Sequence, residues 1–311
     1  HFNTENWPLQ GRMPMIEIGR ENQFYAFSDH MKPVVTARDG EILRFYTKDC
    51  YGDLLTREDI RRKDLVGLSP IANPTTGPVY IEGAARGDTL KVEILSITPA
   101  DHGTMRVTPG SGGLGRAIGQ EKVRIFPIEE GKWIDFNGIR LELEPMIGVI
   151  GVAPASGEYD TDTPHQHGGN MDNRRITACC TMYFPVWQEG ALFGLGDVHG
   201  LMGDGEACIC GLEIAAQVEV RVSVIKGRQE ACPIWEKEGR WATICSARTL
   251  DEAAELARYA MLDFLGKRVK MSTEELAMLL SLIGDTAVCQ VVDPLQTVRF
   301  ALRINALPLA F

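Results

Sequence analysis

The run from Gly194 to Glu206, GLGDVHGLMGDGE, constrains this chain more than any other stretch. It sets Asp197, His199, Asp204 and Glu206 among five glycines. A charged carboxylate buried without a partner costs on the order of several kcal/mol, so three of them beside an imidazole require a cation, a proton or water. The glycines admit backbone angles closed to other residues and let main chain come close to a ligand. They are poor material for a helix or an unbroken strand. The run therefore reads as a metal-binding or acid-base segment and not as packed core.

The rest of the composition narrows the setting. With 311 residues, 44% of them apolar and 24% charged, the chain is expected to be a soluble globular protein with a substantial core. A formal charge of -10 and scattered lysines and arginines exclude a nucleic-acid role, which needs a basic stripe. No apolar run approaches the roughly 18 to 20 residues that span a bilayer. The start His1-Phe-Asn-Thr4 has neither part of a secretory signal and reads as a trimmed or tag-derived terminus. Eight cysteines without a CxxC pair suit a reducing cytoplasm. Cys208 and Cys210, two apart on an expected strand, would share one face, either as soft-metal ligands or as core.

Alternation and turn residues predict strands at 41–48, 78–82, 89–97, 123–128, 139–144, 146–152, 181–186, 207–213 and 218–225. The turn Ala85-Arg86-Gly87-Asp88 would join two of them as a hairpin. Long glycine-rich stretches at 109–119 and 153–173 are of a length that usually marks binding loops or lids. Helices are expected only late. Thr249 to Glu252 and Ser272 to Glu275 are capping boxes, each opening an apolar pattern of helical period that stops at Gly266 and Gly284. Two last strands follow, around 287–292 and 298–304. Strands first and helices later predict an α+β, mostly β protein, with a β-rich core over 1–225 and a smaller α/β part over 226–311.

A second polar cluster lies upstream, with His165, His167, Asn170 and Asp172 around Gly168-Gly169. Taken alone, such a loop is ordinary turn material. Two of them flanking a strand at 179–186 suggest convergence on one site. Aspartate, histidine and glutamate are the ligand set of a hydrolytic divalent ion. Asp197 and His199, two apart, would point the same way from extended backbone and grip one ion. Glu206 is then placed as general base on the attacking water and proton donor to the leaving group. His165, after Pro164, reads as solvated. Asp49 and Asp53 form a weaker candidate that a hairpin turn explains nearly as well.

Five segments carry a resemblance across nearly the whole chain: GPVYIEGAARGDTLKVEI (77–94), MIGVIGVAP (146–154), HGGNMDNRRI (167–176), MYFPVWQEGALFGLGDVHGLMGDGE (182–206) and QVVDP (290–294). Together they resemble the acetamidase/formamidase family. The resemblance implies hydrolysis of formamide, acetamide or similar small amides to ammonia and a carboxylate, a cytoplasmic homodimer or higher homo-oligomer, and a jelly-roll-like β-sandwich with a small α/β part. It also implies a metal-assisted site. Transferred position by position, it falls on Asn170, Asp172, Asp197, His199, Asp204 and Glu206, and more loosely on Asp49. Asp172, Asp197, His199 and Asp49 are thereby the expected metal ligands, zinc first and calcium second, with Glu206, Asn170 and Asp204 the expected catalytic groups. Cys179-Cys180 and Leu201-Met202 depart from the family's smaller or more polar residues and are expected to reshape the pocket.

Two other readings stay open on the sequence. A cysteine-nucleophile amidase would use Cys50, Cys179 or Cys180, although these lack the cationic neighbours that depress a thiol's pKa. A calcium-stabilised, carbohydrate-binding jelly roll would use the same aspartates, and a histidine ligand would speak against it.

Overall fold

The computed structural model describes residues 15–65, 73–303, 307 and 309. The start His1 to Thr4, and Ile304 at the end of the last expected strand, lie outside them. Strands hold 43% of the structure and helices 12% in two segments, which fits the α+β, mostly β class. One nine-stranded sheet runs in the order Ile16–Ile18, Ile42–Thr47, Ala216–Ile225, Thr89–Pro99, Thr181–Pro185, Ile234–Lys237, Arg240–Ala247, Gln296–Leu302 and Gly284–Gln290. The second orders Gly168–Asn170, Met146–Gly151, Phe193–His199, Glu213–Ile214, His102–Val107 and Lys122–Pro127, with Thr75–Ile81 also paired to Phe193–His199.

The two sheets close on one another as a β-sandwich. Ala216–Ile225 alternates buried and half-exposed positions, as a strand with one solvated face should. Its Val218, Val220 and Val222 join Leu43, Phe45, Val92 and Phe184 in the same apolar cluster as Ile147, Ile150, Leu195 and Val198 of the second sheet. Phe45 meets Phe193 edge to face across the interface, with centroids 5.6 Å apart. The turn at Ala85 to Asp88 carries the chain from one sheet to the other, so the expected hairpin there is replaced by a crossing of the sandwich.

Both helices form where their caps predict. Thr249 accepts from Glu252 N at the head of Leu250–Gly266, and the reciprocal box of Ser272 and Glu275 opens Thr273–Ile283. They cover the C-terminal strands, the first through Ala253, Ala257, Met261 and Phe264 and the second through Leu276 and Leu280, in one cluster with Trp241, Val298 and Phe300. The first sheet runs unbroken across residues 225 and 226, while the apolar packing divides into a sandwich cluster and a helix-covered cluster. No helix among the described residues is long and apolar enough to cross a membrane.

Candidate active site

The strand Met146–Gly151 runs between Gly168–Asn170 and Phe193–His199, pairing Val149 with Asn170 on one side and Met146 with His199 on the other. The two polar segments therefore do converge, but through this strand. The stretch 179–186, expected to lie between them, belongs to the opposite sheet. Phe193–His199 is itself a strand buried at every position, where its glycines had argued against one. The glycines serve close approach instead. A Cβ on Gly196 would lie 2.6 Å from Pro74 O of the neighbouring strand segment.

Asp197 and His199 do come together, though not from the extended backbone expected: Asp197 takes φ 49°. His199 Nε2 lies 3.4 Å from Asp197 Oδ1, 3.8 Å from Asp172 Oδ1 and 3.2 Å from Glu213 Oε2. Beyond His199 the chain leaves the sheet in a loop whose base is closed by Gly200 N donating to Leu212 O (2.7 Å) and Leu212 N to Leu201 O (2.9 Å). Glu206 hangs from this loop, and Glu213 ends it. The expected strand 207–213 is absent: only Glu213–Ile214 is extended in the sheet, and Ile209 takes φ 86°. Cys208 and Cys210 lie in the loop with their sulfurs 3.9 Å apart, the Cys210 thiol donating to Arg106 O.

A pocket of about 260 Å³ opens over this cluster. Asn170, Asp172, Asp197, Glu206, Glu213 and Asp293 line it, together with Cys50, Tyr51 and Arg106. Asp172, Asp197, His199, Glu206 and Glu213 are all buried. Among the described residues, Asn170 Oδ1, Asp172 Oδ1, Asp197 Oδ1, Glu206 Oε2, Glu213 Oε2 and Asp293 Oδ2 are buried oxygens with no hydrogen-bond partner. Native proteins rarely leave such acceptors unmatched unless a ligand, ion or water takes them. Asp172, Asp197 and Glu206 also hold left-handed backbone, with φ of 41°, 49° and 45°. Strain of that kind in non-glycine residues gathers at functional sites.

The electrostatics follow from crowding in low dielectric. Burial first, and then Asp197, raise the proton affinity of Asp172 to a pKa of about 6, with His199 opposing. Burial lifts Glu213 to about 8 and pushes Glu206 far above the ordinary carboxylate range, where Asp172 adds to the effect. Burial disfavours charge on His199, yet Glu213 and Asp197 outweigh it and hold the imidazole's pKa well above its usual value. The donor atoms fall into two groups within bonding reach of a cation: Asp172, His199 and Glu206, and Cys50, Asp197 and Glu213. Five carboxylates facing one imidazole must hold protons or cations, and this oxygen-rich set with one histidine and one thiol fits a divalent ion.

Gly148, on the central strand, is what lets the carboxylates meet. A Cβ there would lie 2.5 Å from Asp172 Oδ1 and 2.7 Å from Asp197 O. Gly148→Ala is expected to destabilise the protein by about 1–3 kcal/mol, as overpacking does, and to push Asp172 off its place. Thermal denaturation reads the first effect, and an unchanged midpoint would mean that the strand yields without cost.

The remaining sequence candidates lie elsewhere. Asp204 does not line the pocket; its carboxylate is held by both Arg299 guanidinium nitrogens at 2.7 and 2.6 Å. Asp49 caps the turn after its strand, its Oδ1 accepting from Tyr51 N (3.0 Å) and Asp53 N (2.7 Å), while its neighbour Cys50 is the residue that reaches the cluster. Asp53 pairs with Arg20. His165 stacks on Tyr159 and is half-buried, not solvated. His167 is buried against Phe27 and Tyr159, and burial drives its pKa down to about 3, so it stays neutral. Cys179, Cys180, Leu201 and Met202 do not line the pocket, so the expected reshaping by these residues is not seen. Ser111 from one glycine-rich stretch, Thr108 just before it, and Asp162 from the other do line it.

Three groups that line the pocket escaped the sequence: Cys50 as a candidate ligand, Glu213 and Asp293. The last lies within the QVVDP segment, which was legible as a motif but carried no spacing that tied it to the others.

Comparison with known proteins places these features in a lineage. The model of the Acetamidase/Formamidase family matches residues 17–162 and 155–304. A solved acetamidase from Bacillus halodurans is 43% identical and superposes with a TM-score of 0.89 over 92% of this chain and 97% of its own. A recombinant predicted acetamidase/formamidase from Thermoanaerobacter tengcongensis is 40% identical, with a TM-score of 0.88 over 93% and 95% of the two chains. The acetamidase of Mycolicibacterium smegmatis is 26% identical, and this chain spans about 60% of its length.

Proposed function

This chain belongs to the acetamidase/formamidase family, and from that premise we propose that it is a metal-dependent amidohydrolase cleaving small linear amides to ammonia and a carboxylate. The observation that carries the reading is the set of buried carboxylates lining the pocket, three of which lie within 3.8 Å of the buried His199 and among which Asp172 Oδ1, Glu206 Oε2 and Asp293 Oδ2 have no hydrogen-bond partner. Its 260 Å³ volume suits a substrate of a few heavy atoms.

Asp172, Asp197 and His199, whose Nε2 lies near both carboxylates, would hold the ion; Glu206 stands within reach of Asp172 and His199, and Glu213 and Cys50 within reach of Asp197. Such an ion, zinc first, supplies Lewis acidity that polarises the amide carbonyl and eases the loss of a proton from water. Calcium is the poorer match, because imidazole and thiol are donors it has little use for. Glu206 takes the proton of the attacking water. With a cation in place of the protons that the crowded cluster otherwise holds, its carboxylate would be free to accept that proton and pass it to the leaving nitrogen. Asn170, with Oδ1 buried and free, accepts from the substrate N–H and so orients the amide. Asp204 takes no part at the reacting atoms, since Arg299 occupies its carboxylate.

Cys50 is no substitute nucleophile. Burial, then Glu213 and Asp197, push its thiol pKa well above the ordinary value, the reverse of what thiolate attack requires. We further place the enzyme in the cytoplasm, which eight free cysteines suit, as a homo-oligomer.

Ammonia release from formamide, acetamide and propionamide tests the activity; a chain with metal restored that releases none from any of them refutes it. Asp197→Asn keeps a side chain that tolerates left-handed backbone while removing the charge. It is expected to weaken metal affinity at least about tenfold, as loss of even outer contacts does at such centres. Elemental analysis after dialysis reads this, and wild-type metal content would assign Asp197 a structural role.

A further inference from the structure

Arg299 lies outside the pocket, on the strand Gln296–Leu302, and is only 5% exposed. A buried guanidinium is tolerated when its donors are met. Those of Arg299 reach Asp204 bidentately, Asn173 Oδ1 at 3.3 Å and Cys289 Sγ at 3.8 Å. Each partner belongs to a different segment, and each segment delivers one pocket carboxylate. Asn173 directly follows Asp172, Asp204 precedes Glu206 by two residues, and Cys289 stands one residue before the end of the strand Gly284–Gln290, which leads into the turn that carries Asp293.

The main chain reinforces this joint. Gly205 N donates to Cys289 O at 2.8 Å. Gln290 Oε1 accepts from Val292 N (2.8 Å) and Asp293 N (3.0 Å), while its Nε2 donates to Leu295 O and Thr297 Oγ1. The turn bearing Asp293 is thus fixed to the strand on which Arg299 stands. Three carboxylates converging on one pocket repel one another, and two of them stand on strained backbone that persists only where its surroundings over-determine it. A bidentate Arg–carboxylate pair has the directional rigidity this demands, and a lysine does not.

We propose that Arg299 and Asp204 form a clasp that positions the Asp172, Glu206 and Asp293 carboxylates against one another, making Arg299 a positioning residue for the pocket's chemistry. The kinetic side of this proposal rests on the amidase reading; its structural side does not.

Asp204→Asn, Arg299→Lys and Arg299→Ala, each in the full chain with metal restored, test it. Asp204, with its side chain 34% exposed, is the variant least able to disturb folding. Asp204→Asn and Arg299→Lys are expected to lower kcat about 10- to 100-fold, the scale of loss when catalytic groups shift by an ångström, with KM within about twofold. Amide hydrogen exchange at Gly205 and Glu206 should rise together with that at Val292 and Asp293. A cavity of about 690 Å³ borders Arg299, so guanidinium at tens of millimolar should restore turnover to Arg299→Ala and not to Arg299→Lys. Unchanged kcat in an active enzyme, or exchange that rises at one segment without the other, overturns the clasp. Should the wild type release no ammonia, the amidase reading fails while paired exchange still supports the clasp and unpaired exchange still refutes it.

Discussion

Glu206→Gln is expected to lower kcat at least about a hundredfold, the scale of losing a general base, while the fold and the metal content stay as they are. The carboxamide keeps the size of the side chain and its hydrogen-bonding reach but cannot take a proton from water. Glu206 is suited to the role by its place. It is buried, it faces Asp172, and both effects raise its affinity for a proton, burial being the larger. With a divalent ion replacing the protons of the cluster, its carboxylate would be free to accept one from the nucleophile and return it to the leaving nitrogen. Steady-state kinetics with metal analysis of the same preparation check this. Turnover within a few fold of wild type would remove Glu206 from proton transfer, and lost metal would make it a ligand.

Stripped of metal, the protein is expected to lose stability as pH rises from about 4 to about 8. Glu213 and Asp172 have pKa values of about 8 and about 6 in the folded chain, raised chiefly by burial from 4.5 and 3.8. Between the unfolded and folded values the native state binds more protons than the unfolded one, so stability is greatest below the unfolded pKa and falls as the pH passes the folded values. Together the two groups set a loss on the order of several kcal/mol. Divalent ions that replace those protons should flatten the profile and raise the midpoint, since a ligand bound only by the native state stabilises it. Calorimetry at pH 5 and pH 8, with chelator and with zinc, reads both. A chelated protein whose midpoint does not fall across that range would show that the carboxylates find other compensation.

How far the sequence carried depended on whether an element's signal is local. The two helices are legible because caps and period 3.6 are written in adjacent residues, as at Ser272 and Glu275. Ala216–Ile225 is legible because one face is buried and the other is not. Phe193–His199 is not, because neighbours cover both of its faces and its glycines answer to Pro74 and Phe24, residues distant in sequence. The opposite error occurred at 207–213, where Cys-Ile-Cys alternates like a strand but Ile209 is exposed in left-handed backbone.

The site divides the same way. Asp197, His199, Asn170 and Asp172 were legible as polar residues set among glycines, although Asp197 meets His199 from left-handed backbone that their spacing does not encode. Glu213 and Asp293 arrive through a loop closure and a C-terminal turn, which no spacing encodes. Asp204 carried the same local signature as its neighbours and differs only in facing Arg299, a partner 95 residues away.

Elemental analysis of the purified chain, coupled to an ammonia assay before chelation, after it and after return of one divalent ion, tests the central claim most directly. The account predicts turnover of a small amide that falls with the metal and returns with it. Undiminished turnover by metal-free protein would contradict it.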